Sequence, residues 1–305
     1  VLIEETIPAA LAGDRLDRVV ALLADISRAQ SAALIGAGGV VVDGLVATSG
    51  KVRLEEGQNL AIDPALVPEK ELPQADVGVS VEVVHADEHV VVVNKPAGLV
   101  VHPGAGNPTG TLVNGLLALY PEIADVGQPM RPGIVHRLDA GTTGLMVVAR
   151  TSDAYEELVA ALSSHEVQRE YLAISVGHFD APSGVIDAAI GRDVRDITKM
   201  AVRLDGKFAR THYEVIATYD EPIAASLVRC VLETGRTHQI RVHLAAVGHP
   251  VLGDAVYGGV RAGAPFGRPA LHAAVLSFDH PVTGETKAFT APLPADFEEL
   301  VTRFR

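Results

Sequence analysis

Apolar positions near the start of the chain fall into two rhythms. Leu16, Val19, Val20 and Leu23 recur at i, i+3, i+4 and i+7, one face of a helix. Ser27 suits the cap of a second short helix carrying Ala32, Ala33 and Leu34, with Gly36, Gly38 and Gly39 to stop it. The period then drops to that of strands. Val40–Val42 and Leu45–Val46 flank Asp43-Gly44, a strong hairpin signal, because a type I′ turn needs positive φ at both central residues. Leu60–Ile62 supplies a last strand. These residues predict a compact helix–helix–hairpin module over 1–62.

Residues 63–78 are rich in proline and acids, and that composition predicts a linker. A second domain follows over 79–305. Val79, Val81 and Val83 alternate as in a strand, while Val90–Val93 and Leu145–Ala149 are continuous apolar runs suited to buried strands. Asp153 is placed to cap a helix with Tyr155, Leu158, Val159 and Leu162 on one face. Tyr171–Val176, Thr211–Ala217 and Leu227–Leu232 add strands. Many strands with few helices predict an α+β domain on an extended mixed sheet.

Composition narrows the class. The chain has 305 residues, 48% of them hydrophobic, enough for more than one core. With no Trp and 4% aromatics, Val, Ala and Leu must fill it. The single Cys230 excludes an intrachain disulfide framework and a cysteine-cluster zinc site. No apolar run reaches the roughly 18 residues of a membrane-spanning helix. The opening lacks a basic then apolar signal, so a cytoplasmic protein is expected. A net charge of −13 argues against a nonspecific polyanion binder. The charge is uneven, however. Residues 187–210 hold 6 bases against 4 acids, and residues 229–268 hold 5 against 2, so a local basic groove is still open.

Three segments concentrate functional groups. His136-Arg137-Leu138-Asp139-Ala140-Gly141-Thr142-Thr143-Gly144 forms a polar loop between apolar runs. Alone it reads equally well as a turn tied by an Arg–Asp contact. Arg169-Glu170-Tyr171 opens a strand with a tyrosine among charges. Gly235-Arg236-Thr237-His238-Gln239-Ile240-Arg241 leads into a helix that Thr237 can cap. Ile240, Leu244 and Val247 would face the core, and Arg241 would lie on another face. His238 and His243 are five apart and share no helical face, which argues against a metal pair. Two arginines beside a loop carboxylate suit an anion or nucleic-acid surface better.

These segments, with Asn94-Lys95-Pro96-Ala97-Gly98 before them and Leu271-His272-Ala273 after them, resemble the motifs of the RluA-type RNA pseudouridine synthases. The front module, with Arg15-Leu16-Asp17, Ser27-Arg28-Ala29-Gln30 and Val40–Gly44, resembles the S4 RNA-binding domain, although this copy is acidic. Together they are similar to the RluD branch, which modifies large-subunit ribosomal RNA. The resemblance implies a bent, mainly antiparallel mixed sheet flanked by helices, with the small S4-like α/β module in front. It implies Asp139 as the catalytic carboxylate, Tyr171 against the target base, and Arg241 paired with Asp139. It gives Arg137 the displacement of the target base, and gives Arg236, His238 and Leu271 substrate contacts. Arg28 and Lys51 are the candidates for RNA phosphates in the module. No cofactor and no metal are expected, and the implied partner is RNA, met by a monomer. Thr143 and Ala140-Gly141 depart from the family's usual residues.

The chemistry fits a carboxylate. Uridine becomes pseudouridine when the glycosidic bond breaks, the uracil turns and C5 joins the ribose. Attack at the ribose and addition to the ring both use an ionised carboxylate, and the residues do not choose between them. The base must first leave its stack, which typically costs a few kcal/mol. A noncatalytic RNA-binding or ribosome-assembly factor on the same fold is the competing class, as is a sister-branch synthase acting on other uridines.

Overall fold

The computed structural model describes residues 1–68, 71–104 and 106–305. Its contacts divide the chain into two units, Val1–Glu71 and Leu72–Arg305.

In the small unit, β1 (Ile3–Thr6), α1 (Leu16–Leu23), α2 (Arg28–Gly36), β2 (Val40–Val42), β3 (Leu45–Val46) and β4 (Asn59–Ile62) follow in order. The four strands form an antiparallel sheet in the order β1-β4-β2-β3. Leu16, Val19 and Val20 are fully buried against Leu34, Ile35, Val40 and Leu60, as the helical period predicts. Ser27 caps α2 in a reciprocal capping box with Gln30. The buried stripe of α2 is Ser31, Leu34 and Ile35, while Ala32 and Ala33 face out. Asp43 (φ 49°) and Gly44 (φ 80°) make the hairpin turn.

Within 63–78, Pro64–Leu66 forms a 3-10 turn capped by Asp63, and the Asp76 amide donates to the Asn114 carbonyl at 2.9 Å. Glu69 and Lys70, also in the expected linker, lie outside the described residues.

The large unit contains β5 (Glu82–Ala86), β6 (Val90–Lys95), α3 (Leu112–Leu119), the short pair β7 (Gly127–Gln128) and β8 (Arg131–Pro132), β9 (Thr143–Ala149), α4 (Ser152–Ser163), β10 (Gln168–Val176), β11 (Ser183–Asp187), the hairpin β12 (Ile190–Arg192) and β13 (Met200–Val202), β14 (Arg210–Tyr219), β15 (Ala225–Leu232), α5 (Gln239–Ala246), β16 (Leu271–Asp279), β17 (Thr286–Thr290) and α6 (Ala295–Thr302). Its main sheet runs β11-β14-β15-β10-β16-β9-β6-β5, with β17 also on β16. Every pairing is antiparallel except β9 with β16. The expected mixed, mainly antiparallel α+β sheet is what forms.

Apolar layers cover both faces of this sheet at β6 and β9, which explains why Val90–Val93 and Leu145–Ala149 are continuous apolar runs rather than alternating. Met146 and Val148 of β9 belong to the apolar layer that includes residues of α3 and α6, while Leu145, Val147 and Ala149 belong to the layer that includes α4. Some local expectations shift. Val79 precedes β5 rather than belonging to it. Thr151, not Asp153, caps α4, its hydroxyl accepting from the Ala154 amide; Asp153 sits in the first turn. His238, at φ 58°, takes the cap position of α5 in place of Thr237, and Val247 is exposed. Among the described residues no single helix is long and apolar enough to cross a membrane.

Candidate active site

The start of α5 is held by polar groups rather than an apolar stripe. Gln239 Oε1 accepts from the Thr234 hydroxyl (2.7 Å) and the Arg236 amide (2.9 Å), and its Nε2 donates to the Arg210 carbonyl and the Thr211 hydroxyl, both at 3.0 Å. His243 bridges Thr211 and the Ala188 carbonyl. With those donors and acceptors satisfied, residues 239–244 are all buried. Arg241 is therefore not on an outer face, as the helical stripe suggested; it is 5% exposed.

Arg241 is clamped from two sides. Its Nε and Nη2 donate to the two oxygens of Asp254 at 2.6 and 2.9 Å, and its Nη1 donates to Asp139 Oδ2 at 2.9 Å. Asp254 is wholly buried, and its Oδ1 also accepts from the amides of Val256 and Tyr257. A bidentate carboxylate fixes the guanidinium plane, so Arg241 presents its remaining edge to Asp139. Burial works against its charge, but Asp254 and Asp139 together raise its pKa above the ordinary arginine value.

Asp139 Oδ1 has no hydrogen-bond partner among the described residues. His238 Nε2 lies 3.7 Å from it. The Tyr257 hydroxyl accepts from the Met200 amide and meets His238 Nδ1 at 2.7 Å. Burial lowers the His238 pKa, against the pull of Asp139, and the ring completes the wall.

The loop carrying Asp139 is pinned from below. Lys95, 1% exposed, donates from Nζ to the carbonyls of Pro96, Leu99 and Ala140 at 2.9, 2.8 and 3.1 Å. This one ammonium joins the loop after β6 to the residue following Asp139. Burial pulls its pKa to about 7, with Asp139 opposing the shift.

Asp139, Arg241 and Tyr171 line one cleft of about 530 Å³, together with Arg137, Arg236, His238 and Leu271. Tyr171 is 6% exposed, and burial raises the pKa of its hydroxyl. Arg137 is exposed, its Nη1 3.4 Å from His102 Nε2. Arg236 is exposed and donates to the Phe208 carbonyl at 2.9 Å. Arg28 and Lys51 belong to the small unit. Arg28 is partnered there by Asp17 at 3.0 Å, whereas Lys51 is exposed with no ion pair among the described residues.

Asp254 and Lys95 were missed by sequence reasoning as parts of this cluster. Each carried a signal: an aspartate in a glycine-bounded turn, and a lysine two residues beyond a run of four valines.

A sequence profile of RNA pseudouridylate synthases matches residues 89–246, which spans the loop, the strand tyrosine and α5. The chain belongs to that family. An S4 domain profile matches residues 14–60 of this pseudouridine synthase. It is 44% identical over 306 residues to "Ribosomal large subunit pseudouridine synthase D" of Vibrio vulnificus, covering 96% of this chain and 91% of the relative. The protein of the same name from Escherichia coli K12 is 42% identical with the same coverage. "Uncharacterized RNA pseudouridine synthase YlyB" of Bacillus subtilis is 44% identical, covering 96% and 94%. Among solved structures, human RNA Pseudouridylate Synthase Domain Containing 1 superposes with a TM-score of 0.60 at 27% identity, over 74% of this chain and 88% of that one. The synthase is an isomerase of uridine in RNA.

Proposed function

We propose that this synthase forms pseudouridine in large-subunit ribosomal RNA, with Asp139 as the catalytic carboxylate. The observation that carries the assignment is the asymmetry at Asp139. One oxygen is held by a buried arginine that is itself locked by Asp254, and the other is unpartnered in the cleft. A carboxylate fixed at one oxygen keeps a lone pair available in a set direction, which suits nucleophilic work and avoids reorganisation during the reaction.

In this reading Tyr171 lies against the uracil, offsetting the cost of unstacking it. Arg137, at the exposed rim, fills the place of the displaced base. Arg236 contacts the RNA backbone, His238 and Leu271 wall the pocket, and Arg241 orients Asp139. In the product the N1–C1′ bond has broken and a C5–C1′ bond has formed. The proton leaves C5, and N1 regains one. Both routes to that product use the same free oxygen of Asp139.

Residues 1–62, within the small unit, are the RNA-docking module, with Lys51 its freest cation, and 79–305 is the catalytic domain. The relatives named for the large ribosomal subunit support the substrate. Action as a monomer in the cytoplasm completes the proposal.

The test is tritium release from C5-labelled ribosomal RNA that lacks pseudouridine. The wild-type chain should release label from large-subunit RNA and not from small-subunit RNA. Asp139→Asn should bind the RNA and release none. Turnover by Asp139→Asn within tenfold of wild type would overturn the role of Asp139, and equal release from both RNAs would overturn the substrate.

A further inference from the structure

Arg169 and Tyr171 leave β10 on the same face, one strand repeat apart (about 6–7 Å), and both line the cleft. Arg169 is 6% exposed, yet its charge is not met. Nη2 donates to the Glu233 carbonyl at 3.2 Å, and Nε is buried with no partner. Among the described residues no carboxylate lies within ion-pair distance of it. The other buried cations of the site differ: Lys95 has three carbonyls and Arg241 two carboxylates.

Gly235 packs directly beside the guanidinium: a Cβ there would come within 2.8 Å of Arg169 Nη1, so a side chain at 235 would push Arg169 from its present place. Burying an unpaired cation is destabilising, and a fold that makes room for one calls for an external partner. The cleft gives a second reason. The Asp139 carboxylate repels an incoming polyanion locally, although the cleft as a whole is lined by Arg131, Arg137, Arg169, Arg236 and Arg241. A cation one strand repeat from the base-facing tyrosine offsets that repulsion where the nucleotide's own anion must lie.

We propose that Arg169 binds the phosphate group of the target nucleotide, holding it while the uracil rests on Tyr171. The proposal rests on the cleft being the uridine site; wild-type activity is the control for that reading.

The experiment uses the full chain and a stem-loop from large-subunit RNA in which the wild-type protein forms pseudouridine. The stem-loop is made with the natural phosphate or with a neutral methylphosphonate on the 5′ side of the target uridine. Arg169→Met and Arg169→Lys are compared with wild type. Methylphosphonate should weaken wild-type binding about 10- to 100-fold, the scale of one charged hydrogen bond, and leave Arg169→Met unaffected. Arg169→Met should also lower the slope of log affinity against log salt by about 0.7, and Arg169→Lys should restore part of it. Its melting temperature should be unchanged or higher, because an unpaired charge has been removed.

Equal weakening of wild type and Arg169→Met by methylphosphonate would overturn the proposal. So would Arg169→Met losing turnover with an unchanged salt slope, the result expected if the guanidinium met the uracil carbonyls, or losing it only in step with a lowered melting temperature. If the wild-type chain formed no pseudouridine in any ribosomal RNA, the reading of the cleft would fail first.

Discussion

In the small unit, Asp17 lies between Arg15 and Arg28; in the large unit, Arg241 lies between Asp254 and Asp139. The residue types are the same, and the order of charges is inverted. Asp17 accepts from Arg15 Nε and Nη2 at 3.1 and 2.6 Å and from Arg28 Nη2 at 3.0 Å, so both its oxygens are used. The two arginine side chains remain 39% and 59% exposed, where water screens the pairing. That cluster ties the start of α1 to the start of α2 and leaves the carboxylate nothing to offer a substrate. Around Arg241 one outer carboxylate, Asp254, is fully buried and saturated, and the other, Asp139, with its side chain 19% exposed, keeps a free oxygen. Reactivity comes from which member of the pair is saturated. A carboxylate between two cations is spent, whereas one at the end of a locked cation keeps a lone pair.

The sharpest way to break this comparison is to remove the central charge of the buried cluster. Arg241→Ala should lower single-turnover rates more than a hundred-fold with little change in RNA affinity, because Asp139 loses the group that aims it. Arg236→Ala should do the reverse, weakening binding and reducing its salt slope by about one per phosphate lost. Single-turnover kinetics and binding at several salt concentrations distinguish them. If the two variants exchanged behaviours, the assignments would exchange with them.

Acid separates the two units next. His136 accepts a hydrogen bond from the Val147 amide, and burial, with nearby Arg169, pushes its pKa down to about 3. The unfolded chain takes up that proton near pH 6.5 and the folded one does not. Stability of the large unit is therefore complete above about pH 6.5 and falls as pH drops toward 3, by up to about 5 kcal/mol from this group. Residues 1–62 contain no histidine. In the small unit the hydrogen bond from Arg15 lowers the Asp17 pKa below 3.8, so its loss of stability begins only below that value. Hydrogen exchange between pH 7 and 4 should show amides of β9 opening first. His136→Gln should flatten that dependence.

Asp254→Asn leaves Arg241 buried with one carboxylate. A loss of about 3–5 kcal/mol is expected in denaturant melts of the large unit, together with a fall in turnover. A stable Asp254→Asn variant with normal activity would show that Asp254 does not hold the geometry. The smallest effect belongs to Asp17→Asn: about 1 kcal/mol in the small unit, with the rate of the chemical step unchanged under saturating RNA.

The small unit was largely legible, because its signals are local, although β1 was not foreseen. The helix period, the Ser27 cap and the Asp43-Gly44 turn each act over a few residues, and each formed where the sequence placed it. The large unit was legible in its strands and less so around α5. Thr237 looked like the cap, and Arg241 looked outward, because a helical wheel knows only the helix's own residues. It has no knowledge of Thr211, Thr234 and Ala188, whose polar groups let that helix bury Gln239, Arg241 and His243.

Sequence alone determined the candidate groups: a carboxylate in a polar loop, a tyrosine opening a strand, two arginines near a helix start, and the family motifs that contain them. Tertiary structure decided their states. It brought Asp254 to the far side of Arg241, Lys95 beneath Ala140, and the arginine two residues before Tyr171 into the cleft without a counterion. The physical reason is range. Backbone propensities and caps are written within one turn of chain. Whether a charge is spent or free depends on partners as far apart as Arg241 and Asp139, 102 positions along the chain, which only the packed sheet and its helices bring together.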